Sequence, residues 1–252
     1  IIAMYHSPTP TSVRQIDWPC NQCDVRNKAV CKSLQSDRIS TLGAIKQHRH
    51  FDQKQTIWRD DTNVSHVNIV VSGVVKLSKI LPDGRDQIVA LAFPTDILGN
   101  VFSRRNEHFA EAITDVELCR FPIQHFERVL SEQPKLGYAL LKKTTADLNA
   151  AREWMVALGR KDATERVASL LVMLSKRTDM LPHPSEQPHS NYPRFVIPLS
   201  RADIATFLAL TIETVCRKLT LLKSMRIIEI ASFHTVEVLD PEGLEALAGE
   251  NK

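Results

Sequence analysis

The sequence predicts an α+β fold made of a small antiparallel β-roll, one long helix and a C-terminal winged helix-turn-helix. Three patterns carry that expectation. Short β-rich runs alternate with turn signals between Gln55 and Pro122, a heptad repeat marks the long helix, and two short helices joined by a tight turn precede a β-like pair.

The chain has 252 residues, enough for two domains of ordinary size, with 43% hydrophobic and 24% charged residues. No apolar run approaches the roughly 18 to 20 residues that cross a bilayer, so no membrane partner is expected. The opening stretch "IIAMYHSPTPTSVRQ" lacks the basic start and apolar core of a signal peptide, and its Pro, Ser and Thr residues suggest a mobile arm. A cytoplasmic protein is expected. In a reducing compartment, five cysteines point to metal binding or redox chemistry rather than to structural disulfides. The net charge of +3 is too small to identify partners.

Residues 1–33 read as an arm whose segment "WPCNQCDVRNKAVCKS" holds Cys20, Cys23 and Cys31. A domain over 34–133 follows, opened by a short helix through Leu34, Ile39, Leu42 and Ile45. Its strands are "TIW", "HVNIVVSGVVKLSKI", "QIVALAF" and "VELCRF", with a turn at Pro82-Asp83-Gly84. In the helix over 134–161, Leu141, Leu148 and Met155 recur every seven residues, each followed three residues later by Thr144, Ala151 or Leu158. That a/d seam fits a helix packed on its own domain or a dimer interface. Five prolines between 181 and 198 forbid helix and predict a loop.

In the last part, 162–252, Ser200 and Asp203 have capping-box spacing at the start of a helix over Arg201 to Leu208. After "ALT", a second helix over Ile212 to Lys223 has Val215, Leu219 and Leu222 on its apolar face, and "IIEI" with "TVEVL" supplies a wing. Six basic and two acidic residues lie between Arg194 and Arg226, whereas six acidic residues and Lys252 follow Ile227. Positive charge therefore gathers where phosphates would lie. Glu213 and Arg217 share a face of the second helix and suit base edges: a guanidinium donates to guanine, and a carboxylate accepts from the cytosine amino group. Thr211, Thr214, Arg201 and Lys218 flank them as further contacts to double-stranded DNA. An ordinary surface ion pair is the alternative for Glu213 and Arg217.

These residues resemble a known family. "TIETVCRKLTLLKSMRIIE" is similar to the recognition helix of the CRP/FNR superfamily of transcription regulators, and "VSGVVKL", "FPTDILG" and "LGRKDATERVASLLVMLSKR" follow the family's order. The resemblance implies a cyclic-nucleotide-binding-like β-roll, a long dimerisation helix and a winged helix-turn-helix. The family's Glu-x-x-Ser-Arg motif stands here as Glu213, Thr214, Val215, Cys216 and Arg217, with cysteine in place of serine. The stretch "GNVFSRRNEHFAEAITDV" lacks the Gly-Glu and Arg-Ser pairs of cyclic-nucleotide members, so no cyclic nucleotide is expected.

Cys20, Cys23 and Cys31, with Cys119 late in the roll, resemble the FnrN/FnrL pattern of the family's iron-sulfur branch. That resemblance implies a 4Fe-4S cluster, its loss in oxygen, a homodimer that falls apart with it, and binding to a palindromic FNR-type box of TTGAT half-sites. It also implies contact with RNA polymerase, for which Asp83, Gly84, Arg85 and Asp86 are candidates; a plain hairpin tip is the alternative. Glu153 beside the seam either opposes dimerisation by like-charge repulsion or is a solvated flank.

Several alternatives stay open. Spacing separates a zinc site, or cysteines without metal, poorly from a cluster, and His48 and His50 read as solvated rather than as ligands. Cys216 is either a redox thiol or a small apolar stand-in for serine. A cluster-free regulator of the FixK type remains a rival. An enzyme is the other, but the eight glycines form no nucleotide-binding loop and no nucleophile-base pair is evident, so a non-enzyme is expected.

Overall fold

The computed structural model describes residues 19–34, 42–99, 101–103, 105–178, 193–231 and 234–249. The expected mobile arm, Ile39 and most of the proline-rich stretch lie outside them. The roll is built from β1 (Gln47–Phe51), β2 (Thr56–Trp58), β3 (His66–Ser72), β4 (Val75–Ile80), β5 (Asp86–Ala92), β6 (Ile97–Leu98), β7 (Phe109–Ala112) and β8 (Val116–Pro122). They form two antiparallel sheets, ordered β1-β8-β3-β6 and β2-β7-β4-β5.

Period-2 alternation decides what each face of the first sheet meets. Val70 and Leu118 turn inward to a core shared with Val75, Ala110 and Ala112 of the second sheet. Val67, Ile69, Cys119 and Phe121 turn outward and are covered by the cysteine segment and the helices that follow. Because β3 and β8 are buried on both faces, "HVNIVVS" reads as a continuous apolar run rather than an alternating one.

Three helices follow: α1 (Ile123–Glu132), α2 (Pro134–Arg160) and α3 (Ala163–Arg177). Pro134 opens α2 at a position where its missing N–H costs nothing. Asp162 starts α3 with a full capping box, its side chain accepting from Thr164 and Glu165 while Glu165 reaches back to the Asp162 N–H. Next come α4 (Arg201–Leu208), α5 (Ile212–Ser224) and α6 (Pro241–Leu247), with a three-stranded sheet ordered β10-β11-β9 from β9 (Arg194–Val196), β10 (Ile228–Ile230) and β11 (Thr235–Val238).

Four sequence expectations need correction. Only residues 42–45 of the expected short helix are helical among those described, and Gln47 to His50 belong to β1, where cross-strand pairing with β8 overrides local preference. Arg194–Val196, expected in a loop, is a strand because β11 offers it a free edge. The sequence reading also missed β6, β7 and α6, and it extended the long helix to Lys161, which is its C-cap. Finally, the cysteine segment is not a loose arm where it is described: Val25, Ala29, Val30 and Leu34 are buried in one core with Phe121 and Leu136.

A single apolar core joins the roll to the C-terminal unit, running from Val74, Ile88, Phe93 and Ile113 to Val167, Leu171, Phe195 and Phe207. Asp96, between β5 and β6, is one of the charged groups at this junction. Its carboxylate accepts from the Phe93 N–H at 2.9 Å, pairs with Lys143 of α2 at 2.7 Å and pairs with Arg177 of α3. Replacing Asp96 by Ala takes its counter-charge from Arg177, leaves Lys143 with Asp147 alone and frees the Phe93 N–H, and is expected to lower unfolding free energy by about 2 kcal/mol. A lower urea midpoint at unchanged m-value is the check.

Candidate metal centre and nucleic-acid interface

Cys20 lies on a 3₁₀ turn, Cys20–Gln22, and Cys23 is the residue that ends it; Cys31 lies on a second turn, Val30–Ser33. Lys28 and Ala29 donate backbone N–H groups to the Val25 carbonyl, which folds the intervening residues back and returns Cys31 toward the first two cysteines. Cys119 is fixed differently, in the middle of β8, opposite His48 on β1 and Ile69 on β3. All four cysteines line one cavity, with Val25, Ala29, Leu42, Ile69 and Phe121 as apolar wall and Arg26 at its edge. A Cβ at Gly43 would stand 3.4 Å from the Cys20 sulfur, so the chain passes close to the cavity there.

None of the four is joined in a disulfide. Burial first, and then the neighbouring Cys23 and Cys20, push the Cys31 thiol up to about 12. Burial likewise pushes Cys119 well above the ordinary thiol range, with Cys31, Cys20 and Cys23 adding to the shift. The thiols therefore feel one another, and a multivalent cation is what would neutralise four thiolates in so apolar a cavity. The one group of three ligand atoms within 4.8 Å of one another among the described residues is His50, Asp52 and Asp115, not a cysteine set. His48 and His50 are half-buried on β1 rather than freely solvated as expected.

The reading unit is built by its caps. Ser200 and Asp203 complete the predicted box on α4, which ends at Ala209 with a left-handed φ of 52°. That single left-handed residue turns the chain sharply, and Thr211 caps α5 by accepting from the Thr214 N–H. Val215, Leu219 and Leu222 are buried against α3 and α4, so Glu213, Cys216 and Arg217 are held outward, with Arg217 donating to the Thr214 hydroxyl at 3.3 Å. Two of the flanking residues are placed differently from the outward pair. Lys218 is half-buried and helps the Glu165 and Thr164 N–H groups hold the Asp162 carboxyl low, which puts it beside the α2–α3 junction. Arg201 is half-buried too, and its guanidinium is pulled down by burial while Cys216 acts on it in the opposite sense, so these two residues are neighbours across α4 and α5.

Seam residues Leu141, Leu148 and Met155 are 65%, 49% and 73% exposed, so the seam is not packed on its own domain. Thr144, Ala151 and Glu153 are exposed beside them, and Leu158 is half-buried. Asp83, Gly84 and Arg85 form the exposed β4–β5 turn, in which Gly84 adopts a φ of 86° and Arg85 pairs with Asp83 at 2.8 Å; Asp86 begins β5. The sequence reading passed over Asp96 and Lys76, whose roles depend on contacts across the fold.

Comparison with known proteins matches this architecture. A Crp-like helix-turn-helix domain covers residues 165–247, and a cyclic nucleotide-binding domain covers residues 48–133. The transcriptional activator protein FnrL of Cereibacter sphaeroides is 37% identical over 234 residues, 92% of each chain. This chain belongs to the CRP/FNR family of transcription regulators. The nitrogen fixation regulation protein FixK of Bradyrhizobium diazoefficiens is 37% identical over 91% of this regulator and 93% of its own length. The solved structure of FixK2 from Bradyrhizobium japonicum aligns with a TM-score of 0.72 at 28% identity, covering 81% of this chain and 97% of that one. The regulator is thus a DNA-binding protein with a roll of the cyclic-nucleotide-binding fold.

Two measurements check this geometry. On metal-free protein an alkylating reagent is expected to label Cys216 first and Cys119 last, and the Cys31 rate should climb as pH rises toward its thiol's pKa. Arg217→Ala should weaken operator binding about 10- to 100-fold in a mobility-shift titration.

Proposed function

We propose that the regulator is an oxygen-responsive transcription activator whose four cysteines, Cys20, Cys23, Cys31 and Cys119, hold a 4Fe-4S cluster, and which binds a palindromic FNR-type box as a homodimer. The convergence of these four thiols on one apolar cavity is the observation that carries this reading. A cubane offers one iron to each thiolate and supplies an oxygen-labile centre when bound.

The chain's own residues supply the coupling. Cys119 cannot move without moving β8, so cysteines 20, 23 and 31 must be brought to it, and the segment they occupy packs with Leu136 and Leu140 of α2. Without a centre shared by the four cysteines, that segment would be held to the start of the long helix by apolar packing alone. The exposed seam of Leu141, Leu148 and Met155 is then the element whose pairing responds. Two half-sites one helical turn apart suit a two-fold pair of α5 helices reading TTGAT-type sequence through Glu213 and Arg217, with Cys216 between them. The β4–β5 turn from Asp83 to Asp86 is the surface offered to RNA polymerase.

A cyclic nucleotide is not the signal we propose for the roll. Its inner cavity at Gly99, Asn106 and His108 includes Arg105, but that guanidinium is paired with Asp61. A FixK-like, cluster-free regulator with redox control at Cys216 is the second reading, favoured by the exposure of that thiol.

Anaerobically purified protein is expected to carry about four iron and four sulfide per chain, to sediment as a dimer and to bind the palindrome. Air should lower all three together. Cys119→Ser should prevent loading, and Leu148→Glu should leave loading intact while abolishing the dimer. Protein without iron or sulfide that still binds DNA would favour the second reading.

A further inference from the structure

Lys76 belongs to β4 of the sensory roll, yet one of its partners lies in the DNA-reading unit, 127 residues further along the chain. Its ammonium stands 2.9 Å from Glu111, its cross-strand neighbour on β7, and 3.0 Å from Asp203. Asp203 is also the N3 residue of the α4 capping box: its N–H donates to the Ser200 hydroxyl at 3.0 Å, and that hydroxyl donates to its carboxylate at 2.5 Å. The three charged side chains are 15%, 23% and 20% exposed, so water screens them little. Burial alone would raise the Asp203 carboxyl, but the Ser200 hydroxyl and the Lys76 ammonium outweigh it and hold the group below its ordinary range.

Beside this triad, Gln87 on β5 donates to the Phe207 carbonyl of α4 at 3.1 Å, and the Phe207 ring meets Trp154 of the long helix edge-on at 4.7 Å. The apolar core beneath resists separation of the two units, but apolar contact is non-directional and resists sliding poorly. Ion pairs and hydrogen bonds of fixed geometry supply the missing direction. Their target is α4, which packs directly on the recognition helix α5 and therefore sets the angle at which Glu213 and Arg217 are presented relative to the α2 seam.

We propose that Lys76 is a positioning residue for DNA recognition, acting through Asp203 to fix the angle of the helix-turn-helix on the roll and hence the half-site spacing the dimer accepts. The proposal rests on the dimeric reading above. A palindrome demands that two reading helices meet grooves about 34 Å apart, and a small rotation at each α4 is doubled across the two-fold axis.

The test uses full-length protein prepared without oxygen: the parent, Lys76→Met, Lys76→Arg and Asp203→Asn. Hydrogen exchange without DNA is measured first, then binding to a single half-site and to palindromes of native spacing or with one base pair added or removed. Lys76→Met and Asp203→Asn should speed exchange in α4 and β5. They should lower affinity for the native palindrome about tenfold while changing half-site affinity less than about twofold. The penalty for altered spacing should shrink, and Lys76→Arg should restore the parent's profile. Unchanged exchange in α4 and β5 overturns the proposal, as does equal loss on half-site and palindrome, which marks a general loss of fold. A parent protein that binds no palindrome refutes the dimeric reading, and the exchange result still decides the docking.

Discussion

A buried carboxylate between two cations holds the architecture together. Asp96 sits in the turn between β5 and β6 and is paired at once to Lys143 on the long helix and Arg177 on α3. Arg177 also lies over the Phe93 ring, 5.2 Å from its centroid. Three units that are far apart in sequence are therefore tied through one side chain, and removal of its charge leaves Arg177 without this counter-charge and Lys143 with Asp147 alone. The apolar core shared by roll and reading unit supplies most of the adhesion. The ionic junction supplies its orientation.

That junction explains how a change at one end of the roll can matter at the other. The cysteine cavity lies on the outer face of the β1-β8-β3-β6 sheet, against the start of α2. Lys143 lies little more than two turns further along α2, between the seam residues Leu141 and Thr144, and bonds to Asp147 at 2.6 Å as well as to Asp96. Whatever alters packing at the start of the helix acts on the same rigid rod that carries the seam and anchors Asp96. The second ionic contact, from Lys76 to Asp203, then relates the roll to the helix that supports α5. Rigid elements joined by a few directed contacts are what permit two arrangements rather than a continuum.

Legibility in the sequence followed the range of the interactions involved. The capping box at Ser200 and the apolar face of α5 depend on residues within one or two turns, so α4 and α5 could be placed almost to the residue. The strand β1 and the edge strand β9 could not, because "QHRHF" and "RFV" become strands only through partners on β8 and β11. Thr211 was singled out as a DNA contact, but its hydroxyl is also the cap of α5. Lys218, expected as a flanking DNA contact, is half-buried and also has Asp162 as a neighbour across the fold.

By itself the sequence determined the inventory: which helix carries a seven-residue seam, and which residues of the reading helix, Glu213 and Arg217 among them, face outward. These follow from spacing and periodicity, which the chain fixes before it folds. Only the tertiary structure decided that Cys119 is held rigid between β1 and β3 while its three companions come to it on short turns, that the seam is left uncovered, and that Asp96 and Lys76 are shared between units. Those outcomes depend on long-range pairing and on the burial of charge. No local window of sequence contains both partners of such a contact.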